Sequence, residues 1–238
     1  MIRLSKAIAL ANEAIFSKVK KNPWQKISQL GDWVYDFPVF TDDMTYRPLD
    51  SGSFSTVILA SNGKVYIMTR GKGDLSKTIL ADLNEKLGPQ PNLPIIRYIG
   101  EHNWYGKNDP ISIFESELYQ VGSIDFWLQH PRQKQYLQTL LRIPEHTFWS
   151  TFAEPDMNGA YSLVEAEFGI DMVDPDLQEA EWEDIVDSLN ILVTFIGEHY
   201  PNVRLIKDVG INNVALDGEG QFILLDIFVA KDAFLEWW

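Results

Sequence analysis

The stretch from Asp208 to Asp226, DVGINNVALDGEGQFILLD, constrains the fold more than any other part of the sequence. It contains two short apolar runs separated by the turn Asp217 to Gly220, and glycines beside acidic residues between such runs predict a β-hairpin. Asn213 would lie at one root of this hairpin and Asp226 at the other. Two oxygen ligands side by side suit a hard cation such as Mg²⁺, which also binds phosphate oxygens. The alternative is an ordinary surface hairpin with acidic turn residues.

A second hairpin is predicted nearer the N-terminus. Residues 49–70, LDSGSFSTVILASNGKVYIMTR, place strand-forming runs on both sides of Asn62-Gly63. An Asn-Gly pair between two such runs is the strongest short hairpin signal. The residues that precede the first run are small and contain one glycine, Gly52.

Apolar residues at three- and four-residue steps predict several helices. We expect helices over residues 3–21, 76–87, 133–142 and 174–200, the second of them stopped by Gly88-Pro89. Two strands, residues 95–100 and 111–117, follow the second helix. The aromatic residues between 24 and 48 are expected to pack in a core or over the sheet.

The spacing within Asp208 to Asp226 resembles the protein-kinase catalytic core, in which H-R-D-x-x-x-x-N is followed by two strands and D-F-G. Here the pattern reads Ile206-Lys207-Asp208, then Asn213, then Asp226-Ile227-Phe228, so the family's His, Arg and final Gly are replaced. The resemblance implies that Asp208 accepts the proton of a substrate hydroxyl. It also implies that Asn213 and Asp226 hold Mg²⁺ against the phosphates of ATP.

The loop before the first hairpin is similar to the family's glycine-rich loop, G-x-G-x-x-G-x-V. Only the middle glycine is kept, because Asp50 and Ser55 stand at the outer positions. Small residues let backbone N–H groups approach a phosphate. The resemblance implies nucleotide contacts from this loop and the strand after it, namely Gly52, Ser53, Phe54, Ser55 and Val57.

The family's strand lysine, which pairs with the nucleotide phosphates and with a helix glutamate, has no counterpart here. Its V-A-I-K position falls on Val65 to Met68. Arg70, two residues beyond Met68 and therefore on the same strand face, or Lys72 is expected to supply the positive charge. Glu85 or Asp82 of the following helix would be its partner; the alternative for each is a solvent-facing carboxylate.

The resemblance also implies a two-lobed α+β fold. Residues 1–48 would form an N-terminal helix and aromatic extension, 49–119 an N-lobe with a five-stranded antiparallel sheet, and 120–238 a truncated helical C-lobe. Backbone groups near Glu117 and Tyr119 would hold the adenine edge at the hinge. The small size, and the end of the chain twelve residues after Asp226, resemble the short serine/threonine kinases that bacteriophages encode to take over a host.

The amino-acid composition excludes or disfavours several classes of protein function. The chain has no cysteine, which excludes disulfides and thiolate chemistry, and its net charge of −14 argues against direct nucleic-acid binding. No apolar run approaches the length of a bilayer span, and the four histidines are too scattered to indicate a zinc site. We therefore expect a cytoplasmic protein, in the host cytoplasm if a phage encodes it.

Three functions are compatible with these features. The first is ATP- and Mg²⁺-dependent phosphoryl transfer to serine or threonine of a host protein. The second is a catalytically inactive kinase-fold protein that binds and inhibits a host partner. The third is an inhibitor whose acidic surface blocks a basic site on a host nucleic-acid enzyme. A small-molecule acceptor in place of a protein is a variant of the first function.

Overall fold

The computed structural model describes residues 23–51, 55–70, 75–103, 110–122, 124–153, 179–203 and 205–230. The chain divides into two compact units. The first comprises Met1–Gly88 and Ile95–Gln120, and the second comprises Pro89–Pro94 and Val121–Trp238. The helix predicted over residues 3–21 lies outside the described residues. Mixed helices and antiparallel strands confirm the predicted α+β class.

The first unit is built on an antiparallel sheet with the strand order β1-β2-β3-β4-β6-β5. The strands are β1 Gln25–Lys26, β2 Thr45–Ser51, β3 Ser55–Ala60, β4 Val65–Arg70, β5 Ile96–Asn103 and β6 Pro110–Ser116. The described sheet has six strands where five were predicted, because the short β1 pairs with the start of β2. The predicted Asn62-Gly63 hairpin is confirmed between β3 and β4, with φ of +81° at Gly63.

One face of this sheet is covered by the aromatic segment that precedes β2. Two short 3₁₀ helices, Ile27–Leu30 and Asp32–Asp36, lead into Phe37 and Phe40. These two side chains are buried in one hydrophobic cluster with sheet residues that include Tyr66 and Met68. The expected core packing is therefore confirmed for Phe37 and Phe40. Trp24 and Tyr35 are not part of this core, since they are 42% and 41% exposed.

Helix α1, Leu75–Leu87, follows β4 and packs against β5. It begins one residue before the predicted start and ends where predicted. Gly88 adopts a φ of +83° and donates its N–H to Asn84 O at 3.0 Å, which closes the helix in the manner expected of a glycine C-cap.

The second unit combines helices with two small sheets. Its described helices are α2 Ile124–Gln129, α3 Pro131–Arg142, α4 Glu145–Ala153 and α5 Glu179–His199. One sheet has the strand order β10-β9-β7 and the other pairs β11 with β8. Their strands are β7 Gln120–Val121, β8 Leu205–Lys207, β9 Val214–Leu216, β10 Phe222–Leu224 and β11 Phe228–Ala230. The start predicted for the long helix, at residue 174, lies outside the described residues.

Two of these helices differ from the prediction. Helix α3 begins at Pro131, two residues before the predicted start, because proline fits the first helical turn. Helix α4 lies in a stretch whose mixed aromatic and polar pattern gave no assignment. None of the described helices is long and apolar enough to cross a membrane.

Aromatic rings join the helices of the second unit to β10. Tyr136 on α3 stacks on Trp182 of α5, with ring centroids 5.9 Å apart, and also contacts Phe222. Its hydroxyl donates to Glu181 Oε2 at 2.7 Å, and Arg132 pairs with Glu181 Oε1 at 3.0 Å. Burial, together with the Glu181 hydrogen bond, raises the pKa of the Tyr136 hydroxyl, so it remains a proton donor at neutral pH.

We expect Gly122→Ala to destabilise the protein. A Cβ at buried Gly122 would lie 1.9 Å from Phe126 Cδ1, so the ring must leave its packed position. Overpacking of this kind costs about 1–3 kcal/mol. Gly197→Ala on α5 is the matched control, because a Cβ there meets nothing within 4 Å and alanine favours helix by about 0.5–1 kcal/mol. Urea unfolding midpoints should move in opposite directions; equal shifts would contradict the packing described at Gly122.

Candidate functional site

The hairpin predicted within Asp208 to Asp226 is present. Strand β9 pairs with β10 so that Leu216 lies opposite Phe222. The turn is held by Asp217, whose Oδ1 accepts the N–H groups of residues 219 and 221, each at 2.8 Å. Gly220 has a φ of +89°, a conformation that favours glycine. The acidic and glycine residues of the turn therefore specify the hairpin locally.

Asn213 connects both sides of the hairpin root. Its carbonyl oxygen accepts the N–H groups of Leu225 at 2.9 Å and Asp226 at 3.2 Å. Its side-chain Nδ2 donates to the backbone oxygen of Asp208 at 2.5 Å, and its own N–H donates to Gly210 O at 3.0 Å. One residue thus fixes the backbone on which the two aspartates sit.

A second tie joins the two aspartates without Asn213. Strands β8 and β11 pair with Lys207 opposite Phe228. Directly after β8, Asp208 donates its N–H to Ile227 O at 2.7 Å. The structure therefore brings Asp208, Asn213 and Asp226 into one hydrogen-bonded group. Asp208 is exposed, whereas Asn213 and Asp226 are half-buried.

The oxygen atoms available at the hairpin root are of the kind that Mg²⁺ binds. Asn213 uses Nδ2 toward Asp208, so the acceptor end of its amide is Oδ1, which with a carboxylate from Asp226 supplies hard oxygen ligands. The described residues contain no group of three His, Asp or Glu side chains that could hold a metal by themselves. Mg²⁺ characteristically takes one or two protein oxygens and completes its shell with water and phosphate.

Only part of the predicted nucleotide loop can be placed. Gly52, Ser53 and Phe54 lie outside the described residues. Ser55 and Val57 lie on β3 and are half-buried. Their predicted contacts with a nucleotide remain predictions.

The register of β3 and β4 shows which residues of β4 share a face with Val57. Val57 lies opposite Ile67, and Ser55 lies opposite Thr69. Residues directly opposite in an antiparallel pair share a face, so a nucleotide that contacts Val57 would meet Thr69 and not Met68. Met68 lies on the other face and is 6% exposed, in the hydrophobic cluster that contains Phe37 and Phe40. Val57 and Met68 therefore lie on opposite faces of the β3–β4 pair, and the alignment of V-A-I-K on Val65 to Met68 stays a prediction.

Thr69 is the residue that the sequence reasoning missed on this strand. It is only 2% exposed and carries a neutral hydroxyl where the family resemblance expects a positive charge. A two-residue turn at Asn62-Gly63 would pair Val57 with Met68, so the face of this strand follows only from the observed register, in which Val57 lies opposite Ile67. The Arg70 side chain and Lys72 lie outside what the structure describes, so their predicted role is still a prediction.

The remaining predicted residues lie in three different settings. Glu85 is exposed on α1, and Asp82 is half-buried on the same helix. Glu117 forms an exposed ion pair with Lys64, with Nζ and Oε1 2.8 Å apart, and this bond raises the pKa of the lysine. The Tyr119 hydroxyl accepts the N–H of Ile95 at 2.7 Å. Whether backbone groups near 117 and 119 hold adenine stays a prediction.

Two residues near the site, the buried Asn92 and the half-buried Lys207, make contacts that no sequence pattern predicted. Asn92 lies in the proline-rich connection before β5. Its side-chain Nδ2 donates to Phe222 O, and its backbone carbonyl accepts the N–H of Leu224, both at 2.8 Å. It thereby extends the free side of β10. Lys207 donates Nζ to Ile143 O at 2.6 Å and to Leu141 O at 3.1 Å. An asparagine between prolines and a lysine before an aspartate are common enough that neither pattern indicates such contacts.

Comparisons with known proteins do not assign the chain to a family. No family model matches it, and no curated protein does. Among solved structures, APH(2″)-IIIa with GDP and kanamycin is 14% identical, with 83% of this chain and 74% of that chain covered and a TM-score of 0.41. A mutant aminoglycoside 2′-phosphotransferase IIIa with GDP is 16% identical, with 88% and 74% covered and a TM-score of 0.40.

We expect Asn213→Ala to loosen the hairpin root. The change removes the hydrogen bond from Nδ2 to Asp208 O, and losing such a bond at a half-buried site costs about 1–2 kcal/mol. Asn212→Ala is the control, because the neighbouring side chain is exposed and surface changes stay within about 0.5 kcal/mol. Amide exchange of residues 208–213 should quicken in Asn213→Ala alone. Equal exchange in both variants would contradict the role given to Nδ2.

We also expect Met68→Lys to destabilise the first unit without improving nucleotide binding. A lysine there would place an unpaired charge in the hydrophobic cluster that contains Phe37 and Phe40, at a cost of about 3–5 kcal/mol. Met68→Leu keeps the volume and should cost under about 1.5 kcal/mol. Urea unfolding of both variants tests this. A stable Met68→Lys protein with tighter nucleotide binding would overturn the face assignment of β4.

Proposed function

We propose that the chain is a nucleotide-dependent phosphotransferase whose reaction centre is the root of the β9–β10 hairpin. The single observation that carries the proposal is the hydrogen-bonded group around Asn213, which holds the segments bearing Asp208 and Asp226 together. Phosphoryl transfer needs little covalent chemistry from a protein. It depends on positioning the reactants and on stabilising charge. Two carboxylates and an amide at fixed backbone positions supply the positioning.

Each residue has a distinct role in this proposal. Asp208, the exposed carboxylate, accepts the proton of the acceptor hydroxyl as its oxygen attacks the γ-phosphorus. The bond from that phosphorus to the bridging oxygen breaks, and the nucleoside diphosphate leaves. Asn213 and Asp226 are the residues that would hold Mg²⁺. A bound Mg²⁺ would neutralise charge on the phosphate oxygens.

We propose ATP as the donor and a serine or threonine hydroxyl of a protein as the acceptor. The exposure of Asp208 supports a large acceptor, because a base on the protein surface can be reached by a loop of another chain. A small-molecule hydroxyl would be served by the same chemistry. The two acceptor classes are therefore separate arms of the test.

A second candidate function is a nucleotide-binding or partner-binding protein without turnover. Thr69 favours it, because it is buried and neutral on the strand face where a phosphate-pairing lysine would be needed. Loss of one charged stabiliser of a phosphoryl transition state reduces the rate by about 10²–10³. Such a protein would retain the hairpin root for binding alone.

We expect the parent protein to transfer label from γ-labelled ATP with Mg²⁺ to protein or peptide hydroxyls. Asp208→Asn should lower the rate by about 10²–10⁴ while leaving the thermal shift with Mg²⁺ and nucleotide intact. Asp226→Asn should lose both transfer and the Mg²⁺-dependent part of that shift. The control is Asp217→Asn, because the amide keeps the oxygen that caps the turn.

The outcomes separate the candidates. Transfer that survives both Asp208→Asn and Asp226→Asn would reject this reaction centre. A thermal shift with no transfer to peptides, amino sugars or the protein itself would favour the binding protein. If the parent protein shows neither phosphoryl transfer nor a thermal shift with nucleotide, the nucleotide-dependent proposal is rejected altogether.

A further inference from the structure

The corner between α3 and α4 has backbone acceptors that no helix can satisfy. Helix α3 ends at Arg142, and Pro144 follows one residue later without an N–H. The last carbonyls of a helix have no intrahelical donors, and a proline just beyond the end removes one more. Pro144 O itself begins the next helix by accepting from residues 147 and 148, at 3.2 and 2.9 Å.

Lys207 supplies the missing donors from a distant part of the chain. Its ammonium donates to Ile143 O at 2.6 Å and to Leu141 O at 3.1 Å, and lies 5.0 Å from the centroid of the Phe148 ring. A cation at the carbonyl end of a helix also meets a favourable dipole. The lysine therefore makes three interactions with a single corner of the fold.

The cost of placing this charge indicates a purpose beyond solubility. Lys207 is half-buried, and burial lowers the pKa of its ammonium, an effect that Glu145 partly opposes. A lysine in bulk solvent has no such penalty. A charge kept against desolvation and committed to specific carbonyls is a mark of a positioned residue.

We propose that Lys207 is a positioning residue that clamps the end of β8, and therefore Asp208, to the α3–α4 corner. The inference rests on the proposed function in that it takes Asp208 as the base. The backbone carries the effect onward. Asp208 follows Lys207 directly, donates its N–H to Ile227 O, and accepts from Asn213 Nδ2.

The short strands explain why a clamp is needed. In the part of the chain that the structure describes, β8 and β11 have three residues each, and Asp208 lies just past the end of the pair. Strand ends of this length open readily unless other contacts hold them. Lys207 is the last residue of β8, so its side chain acts at the point where opening would begin.

The test compares Lys207→Met, Lys207→Arg and Arg142→Met with the parent. Methionine keeps the stem over Phe148 and removes the donors, while arginine keeps the charge and the donors. Arg142→Met removes an exposed positive charge from the same corner. Amide exchange is followed over residues 205–213 and over the β3–β4 hairpin as an internal reference, and kcat and KM for ATP are measured in parallel.

We expect Lys207→Met to speed exchange over residues 205–213 by about 10-fold or more while β3–β4 is unchanged. It should lower kcat by about 10- to 100-fold with KM for ATP within about two-fold. Lys207→Arg should restore both readings in large part, and Arg142→Met should resemble the parent.

Three results would overturn the proposal. They are unchanged exchange in Lys207→Met, exchange that quickens equally over residues 205–213 and over the β3–β4 hairpin, and no recovery in Lys207→Arg. If the parent shows no phosphoryl transfer, the proposed function fails. The exchange measurements would then still decide whether Lys207 fixes the loop that carries Asp208.

Discussion

Four backbone groups around the hairpin root meet at Asn213: the N–H groups of Leu225 and Asp226 and the carbonyls of Asp208 and Gly210. The amide combines a side-chain donor for the Asp208 carbonyl with an oxygen that remains an acceptor. Aspartate would lose the donor, and glutamine would add a methylene to a 2.5 Å contact. The relative placement of the two aspartates depends on this residue more than on either strand pair.

The strands around the site are too short to hold this geometry alone. Among the described residues, each of β8 to β11 has three residues, and the pair of β8 and β11 is a two-stranded ribbon, which is marginal in water. Side chains from elsewhere in the second unit provide the additional contacts that hold these strands. Asn92 continues the hydrogen bonding of β10, Lys207 fixes the end of β8, and the ring of Phe222 packs on Tyr136 and Trp127. The exposed Asp208 therefore rests on a framework that is buried.

What the sequence predicts correctly is local. The Asn62-Gly63 and Asp217 to Gly220 turns specify their hairpins through φ and side-chain capping, and Gly88 ends α1 in the same way. The face on which Met68 lies has no such local signal. Because strand faces alternate, a shift of one residue moves every side chain to the other face, and only the pairing with β3 sets the count. Asn92 and Lys207 form hydrogen bonds with partners more than 60 residues away in the sequence, so no local sequence pattern predicts these contacts.

The face of β4 that includes Thr69 bears on the proposed mechanism. The three positions of β4 that share a face with Val57 are Val65, Ile67 and Thr69, none of which is charged. Aromatic packing on Met68 closes the opposite face to a phosphate. In the proposed function, the charge on the transferred phosphoryl group would be stabilised by a metal held at Asn213 and Asp226 or by other parts of the chain. A chain of this kind that turns over would thus depend more steeply on its divalent cation than one with a lysine on that strand.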